Sequence, residues 1–334
     1  MAKVYITREL PQQALALFRK KNVDYIFNPR DEPPSEATLK REVSNVDGLV
    51  CLLTEKVTSD VIEAGKSLRV ISNIAVGYDN IDLNRATKRG IYVTNTPGVL
   101  TETTADLAWA LLMAAARRIP EAESYLRSGG WKIQWNLMFM TGTDVHGKTL
   151  GIIGLGRIGQ AVAQRARGFN MTMLYYDEKR NTELESKLGV KYADMDAIFR
   201  ESDFVTLHVP LTEKTRNLVS GRQLNLMKKT AILINTSRGP VVDEKDLYKA
   251  LKEGKIGGAG LDVFQREPIE MSNPLLKLNN VVLLPHIGSA TVETRTKMAM
   301  VAVENAITAL EGGIPPNLVN PDALEIRPPT SGQK

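Results

Sequence analysis

Three polar residues stand just beyond apolar runs in the C-terminal half of this 334-residue chain. Arg238 follows Ala231-Ile232-Leu233-Ile234 through Asn235-Thr236-Ser237, Glu267 lies past the run Gly257 to Asp262, and His286 comes after Val281 to Leu284 and Pro285. If these runs are parallel strands, their carboxyl ends share one sheet edge, where ligands bind in such folds. An arginine there can grip a carboxylate with its planar fork. A histidine side chain exchanges protons with a carbonyl or hydroxyl near neutral pH, and a carboxylate such as Glu267 can hold and favour the imidazolium. Arg238, Glu267 and His286 therefore have the makings of an anion clamp beside an acid/base pair.

A second constellation precedes it. The apolar run Leu150-Gly151-Ile152-Ile153 leads into Gly154-Leu155-Gly156-Arg157-Ile158-Gly159 and then into small and apolar residues at helical spacing, Ala161, Val162, Ala163 and Ala166. A further strand pattern, Met171 to Tyr176, ends in Asp177, 18 residues beyond the third glycine. A GxGxxG alone is weak, but strand, turn, helix, strand and acid in this order form the dinucleotide-binding pattern. Gly154 allows the tight turn, Gly156 the approach of a pyrophosphate, and Gly159 close helix–strand packing. The helix N-terminus offers amides to the diphosphate, and Asp177 can accept hydrogen bonds from ribose hydroxyls.

Composition narrows the class. The chain is 43% hydrophobic and 24% charged, with a formal net charge of +5. Its basic residues are scattered among acids, with no run longer than three, so a mild field toward anionic ligands is expected and a nucleic-acid stripe is not. The single cysteine, Cys51, sits in the apolar run Gly48 to Leu53, which suits core filling and a reducing compartment. Three histidines without HxxxH or HExxH spacing give no zinc pattern. The N-terminus enters a strand pattern without a signal-peptide core, and the longest apolar helical run, Leu107 to Ala116, is too short for a bilayer. The cytoplasm is the expected compartment.

Two βα series must position these residues. In the first, strands are predicted at Val4–Ile6, Tyr25–Phe27, Gly48–Leu53, Val70–Ile74 and Tyr92–Thr94, with helices such as 12–21 and 59–64 between them. In the second, strands begin at Leu150 and continue through 171–176, 204–207, 231–234, 257–262 and 281–284. This alternation predicts α/β architecture with two doubly wound parallel sheets. A helix from Thr101 is expected to stop at Pro120. The irregular stretch 121–146, with Trp131, Trp135, Met138, Phe139 and Met140, reads as a covered loop or a subunit contact. The helix 292–311 is followed by a proline-rich tail expected to be irregular or frayed.

At this point the motifs become specific. Ile234-Asn235-Thr236-Ser237-Arg238-Gly239, Gly260-Leu261-Asp262-Val263-Phe264 with Glu267-Pro268, and Pro285-His286-Ile287-Gly288-Ser289-Ala290-Thr291 resemble signatures of the D-isomer-specific 2-hydroxyacid dehydrogenases. The resemblance covers nearly the whole chain. It leans toward the glyoxylate/hydroxypyruvate reductase branch through Ala75-Val76-Gly77-Tyr78-Asp79-Asn80 and Ala290-Thr291-x-x-Thr294-Arg295. It implies two Rossmann-like domains with the active site in the cleft between them: a substrate domain of residues 1–99 completed by 288–334, and a dinucleotide domain of 100–287. Arg238 would bind and polarise a 2-oxo acid, His286 would donate the proton in reduction, Glu267 would partner it, and the amides of Val76 and Gly77 would hold the substrate carboxylate. By the same likeness Leu155 to Ile158 would meet the diphosphate and Asp262 the nicotinamide carboxamide. Thr104, Val209, Pro210, Thr236, Ser237 and Gly288 would line the rest of the cofactor site. His208 is expected to pack or line that site rather than catalyse.

The implied activity is NAD(P)H-dependent reduction of glyoxylate or hydroxypyruvate, with NADH preferred through Asp177 and NADPH possible through Lys179 and Arg180. The protein would be a homodimer with no metal, nucleic-acid or membrane partner. The alternatives are a 3-phosphoglycerate dehydrogenase-like enzyme, for which no extra cationic pocket stands out, and a non-catalytic NAD(H)-sensing protein resembling the corepressors of this fold.

Overall fold

The computed structural model describes residues 1–330, which divide into two compact units, Met1–Leu100 with Ala290 onward, and Thr101–Ser289. The last four residues of the predicted segment 288–334 lie outside the described residues.

The first unit holds a parallel sheet of β1 (Lys3–Ile6), β2 (Asp24–Phe27), β3 (Gly48–Cys51), β4 (Val70–Asn73) and β5 (Tyr92–Thr94), in the order β2-β1-β3-β4-β5. The inner strands β3 and β4 and the edge strand β5 are buried throughout, as expected of a sheet covered on both faces. One face packs Val43, Val61, Ile62 and Ala86 of the connecting helices against Leu49, Ile71 and Val93. Against the other lies the helix Val292–Leu310, joined to β4 by the Ser72 hydroxyl, which donates to the carbonyl of Ala302 at 2.7 Å.

The tail beyond that helix departs from expectation. It is docked rather than frayed. The Asn320 side chain accepts from the Val93 amide at 2.8 Å and donates to the carbonyl of Ile91 and the hydroxyl of Thr87. The Val319 amide donates to Val93, and Tyr92 and Gly90 bond to Arg327. Prolines prevent periodicity there, but the open edge of β5 supplies partners that a sequence pattern cannot display.

The second unit is a seven-stranded parallel sheet of β6 (Thr149–Ile153), β7 (Thr172–Tyr176), β8 (Val190–Tyr192), β9 (Phe204–Leu207), β10 (Ile232–Asn235), β11 (Gly258–Leu261) and β12 (Val281–Leu283). The order β12-β11-β10-β9-β6-β7-β8 reverses between β6 and β9, the position at which such sheets bind ligands. Apolar cores cover both faces. In one of them Trp109, on the helix Thr101–Ala116, stacks on Phe169 at 4.7 Å. That helix ends at Ala116, before Pro120. Instead of stopping it, Pro120 occupies the first turn of the next helix, Ile119–Arg127, where a missing N–H costs no helical hydrogen bond.

Within this unit Trp131, Ile133, Trp135, Leu137 and Met138 are all exposed. No helix of the described residues is long and apolar enough to cross a membrane.

Candidate active site

The carboxyl ends of the second unit's strands carry the predicted polar residues. At the end of β6, Gly154 takes φ +93°, and a Cβ there would lie 2.8 Å from the His208 carbonyl oxygen. Only glycine fits this turn against the β9 end. Gly159 is pressed against the Gly154 carbonyl, whereas Gly156 faces open space. Gly156 also begins the helix Arg157–Arg167, which has neither a side-chain cap nor an acid in its first turn. Its first amides are available to an anion.

Asp177 follows β7 and faces this loop. Its carboxylate accepts from the amides of Leu155 and Glu178, each at 2.8 Å. Arg180 is drawn away by a two-pronged ion pair with Glu185 (2.8 and 2.9 Å) and lies over the Tyr192 ring. Val209 abuts Gly154, and Gly288 sits between Asp262 and buried Thr104. Among the described residues, the buried Thr236 hydroxyl has no hydrogen-bond partner. An open approach at Gly156, an uncapped helix end, a carboxylate after the second strand and an orphaned buried hydroxyl fit a dinucleotide.

The acid/base pair is formed. His286 Nδ1 lies 2.7 Å from Glu267 Oε2, and Glu267 Oε1 accepts from the Phe264 amide at 3.0 Å. Burial alone would raise the Glu267 carboxyl, but the His286 hydrogen bond and charge, the Phe264 amide and the Arg238 charge together hold it below the usual range. Arg238 is thus part of the same electrostatic unit. Gly239, next in chain, packs so tightly on the Phe264 carbonyl that any side chain would collide with it. That contact brings the Arg238 turn to the Glu267 loop.

Asn235 and Asp262, at the ends of β10 and β11, build the frame. The Asn235 side chain accepts from the amide and hydroxyl of Ser237 and donates to the Arg238 carbonyl, which closes the turn carrying Arg238. Asp262 is 1% exposed, and its two oxygens accept from the amides of Ile287 (2.7 Å) and Gly288 (2.8 Å). The His286 amide donates to the Asp262 carbonyl. These three bonds hold His286 at φ +54°, a left-handed conformation uncommon outside glycine. Burial pushes the Asp262 carboxyl up, against the Ile287 amide and the His286 charge, which pull it down. Asn235 stands in the sequence motif beside Arg238 at a strand end, but its framing role, made of bonds to Ser237 and the Arg238 carbonyl, is visible only in the structure.

In the first unit, the loop after β4 has a marked polarity of its own. The carbonyls of Ala75, Val76, Gly77 and Tyr78 accept from Thr96, Asn95, Asn73 and Ile81. The amides of Val76 and Gly77 donate to nothing among the described residues. Successive free amides of this kind make an anion-binding concavity.

The remaining candidates take quieter places. His208 accepts or donates at 2.9 Å with the Thr206 hydroxyl, and burial pushes its imidazole down to about 3, so it stays neutral. His146 pairs with Asn170 in an exposed loop. Cys51 is buried, and its thiol is pushed well up.

Residues 109–288 match the family model described as the D-isomer specific 2-hydroxyacid dehydrogenase NAD-binding domain. The chain is 56% identical over 327 residues to a glyoxylate reductase of Korarchaeum cryptofilum, covering 98% of each chain. A crystal structure of a Thermus thermophilus protein superimposes with a TM-score of 0.89 at 43% identity, covering 95% of this chain and 99% of that one. An NADPH-dependent glyoxylate/hydroxypyruvate reductase from Sinorhizobium meliloti, solved with NADP and malonate, gives 0.85 at 32% identity, covering 100% and 99%.

Proposed function

The chain belongs to the D-isomer specific 2-hydroxyacid dehydrogenase family, a nicotinamide dinucleotide-dependent group, and from that premise we propose that it reduces glyoxylate or hydroxypyruvate with NADH. The observation that carries this proposal is the 2.7 Å pairing of His286 with Glu267 within the field of Arg238.

When bound, the reduced nicotinamide supplies a hydride to the carbonyl carbon of the 2-oxo acid. Arg238 grips the acid and polarises its carbonyl. With Nδ1 held by Glu267, His286 keeps Nε2 to give a proton to the carbonyl oxygen, which becomes the hydroxyl. Glu267 stabilises the protonated imidazole before transfer. The amides of Val76 and Gly77 take the substrate carboxylate.

The cofactor is assigned to Gly154, Leu155, Gly156, Arg157, Ile158 and Gly159 at its diphosphate and to Asp177 at its adenosine ribose. Thr104, Val209, Pro210, Thr236, Ser237, Asp262 and Gly288 take the remainder. NADH preference is supported by the engagement of Arg180 with Glu185, which takes one of the loop's two cations, Lys179 and Arg180, out of competition with Asp177. The substrate domain is assigned to the first unit and the dinucleotide domain to the second.

A second copy of the chain is the proposed occupant of the exposed apolar segment around Trp131 and Trp135. A patch of this length on one chain is characteristic of a subunit interface. The buried, unpaired Cys51 suits the reducing cytoplasm.

Oxidation of NADH by glyoxylate, hydroxypyruvate, pyruvate and 3-phosphohydroxypyruvate tests the proposal. Turnover of the phosphorylated acid alone would assign the chain to the phosphoglycerate branch, and turnover of none would remove the catalytic function.

A further inference from the structure

We propose that Asn95, with Asn73 and Asn80, sets how tightly the substrate carboxylate is held: Asn95 turns the Val76 carbonyl inward and hence the Gly77 amide outward, and Asn73 and Asn80 pin the next peptide through the Gly77 carbonyl. The inference rests on the function proposed above and goes beyond it to residues that touch no substrate.

The geometry is a lattice of side-chain amides. Asn73, fully buried at the end of β4, donates from Nδ2 to the Gly77 carbonyl at 2.9 Å and to Asn80 Oδ1 at 3.1 Å. Asn80 donates from its own Nδ2 to the carbonyls of Leu52 (3.1 Å) and Glu55 (2.9 Å). Asn95, at the end of β5, donates to the Val76 carbonyl at 2.8 Å. Both carbonyls are therefore committed to the protein. In a trans peptide the carbonyl of one residue and the N–H of the next point opposite ways, so the Val76 carbonyl on Asn95 turns the Gly77 amide outward, while the Gly77 carbonyl on Asn73 fixes the following peptide, that of Tyr78.

The orientation of Asn73 is set by chemistry. Its Oδ1 accepts from the Cys51 thiol at 3.6 Å, and burial keeps that thiol protonated and a donor. Rotating the amide by half a turn would set oxygen against the Gly77 carbonyl and Asn80 Oδ1, and leave Nδ2 facing the thiol. An aspartate would incur the first penalty in either orientation.

Beneath the lattice lies a buried foundation at the ends of β1 and β3, where the strand order of this sheet reverses. The fully buried Glu55 accepts from the Thr7 hydroxyl (2.7 Å), the Leu52 amide (2.6 Å) and the Thr54 hydroxyl (2.7 Å), and pairs with Arg8 at 3.2 Å. Glu55 thereby fixes the 52–55 loop, whose carbonyls fix Asn80, which in turn orients Asn73. Neutral amides suit this work, because an acid in their place would repel the arriving carboxylate.

The test uses the full chain with glyoxylate, NADH and the carboxylate inhibitor oxamate. In Asn95→Ala, KM for glyoxylate and Ki for oxamate should rise together by about tenfold, the worth of one hydrogen bond. The kcat and the NADH dissociation constant should hold. Asn73→Ala should move the same two constants less, and Asn73→Asp more than Asn73→Ala. A folded Asn95→Ala with unchanged KM, or one losing kcat or NADH affinity while KM stays constant, overturns the positioning role. If Asn95→Ala does not fold, an unchanged KM in Asn73→Ala and Asn73→Asp overturns it. Wild-type turnover is scored first. Without it the proposed function falls, whereas with it a normal KM in the variants defeats the positioning role alone.

Discussion

His286 Nδ1 and Glu267 Oε2 are 2.7 Å apart, while the His286 backbone is held in a left-handed conformation by bonds to Asp262. The imidazole is thus fixed from two directions, its ring by Glu267 and its main chain by Asp262, both in the loop that follows β11. The arrangement makes specific demands on pH. Glu267 is held below the usual carboxylate range, so it is anionic throughout neutral and mildly acidic conditions. A carboxyl depressed on folding contributes stability that is complete above its unfolded value and is lost as pH falls through its folded value. The difference in melting temperature between wild type and Glu267→Gln should therefore be present near neutrality and vanish in acid. An equal difference at all pH values would show that Glu267 acts through packing.

The same variant makes a kinetic prediction. A neutral amide no longer favours the protonated imidazole, so the pH profile of reduction should shift toward lower pH. An unshifted profile would remove Glu267 from proton handling.

Arg238→Lys should not behave as a conservative change. A point charge cannot reproduce the two-pronged grip of a guanidinium. kcat/KM should fall by about 10- to 100-fold, the range of one charged hydrogen bond. If the contact strengthens in the transition state, kcat shares that loss. Wild-type kinetics would sink the assignment.

Cofactor choice turns on Asp177 and Arg180. With Arg180 engaged by Glu185, wild type should give the higher kcat/KM with NADH. Asp177→Ser should narrow that preference by removing the charge that repels a 2′-phosphate, and Glu185→Ala should narrow it further by releasing Arg180. A wild-type preference for NADPH would show that Lys179 and Arg180 govern the site.

The exposed tryptophans give an oligomer prediction. Trp135, 77% exposed, should be covered in a dimer, and Trp135→Glu should shift the mass measured by light scattering toward the monomer. A monomeric wild type would contradict the assigned interface.

Much of this was legible in sequence where one element decides the outcome. Buried parallel strands are apolar runs, and the exposed edge strand β2 still carries the run Tyr25-Ile26-Phe27, so every strand but β8 was visible; Val190-Lys191-Tyr192 buries a single residue at the sheet edge and carries no such run. Arg238, Glu267 and His286 stood out because polar residues directly after apolar runs mark a strand end. What sequence did not display depends on distant partners. Asn320 docks the tail through contacts with residues 87–93, and Asn73 matters only because Gly77, Asn80 and Cys51 surround it. Pro120 was legible as a helix boundary, but its side of the boundary depended on the chain bend at Arg118, where φ is +53°.

The decisive measurement is steady-state reduction of glyoxylate by NADH in wild type and His286→Ala, alongside NADH binding followed by fluorescence. A positioned general acid contributes about 10²- to 10⁴-fold. The variant should lose kcat on that scale while its NADH dissociation constant is unchanged. Undiminished kcat in His286→Ala, with the cofactor bound as in wild type, would show that the proton comes from elsewhere and that the His286–Glu267 pair is not the acid of this enzyme.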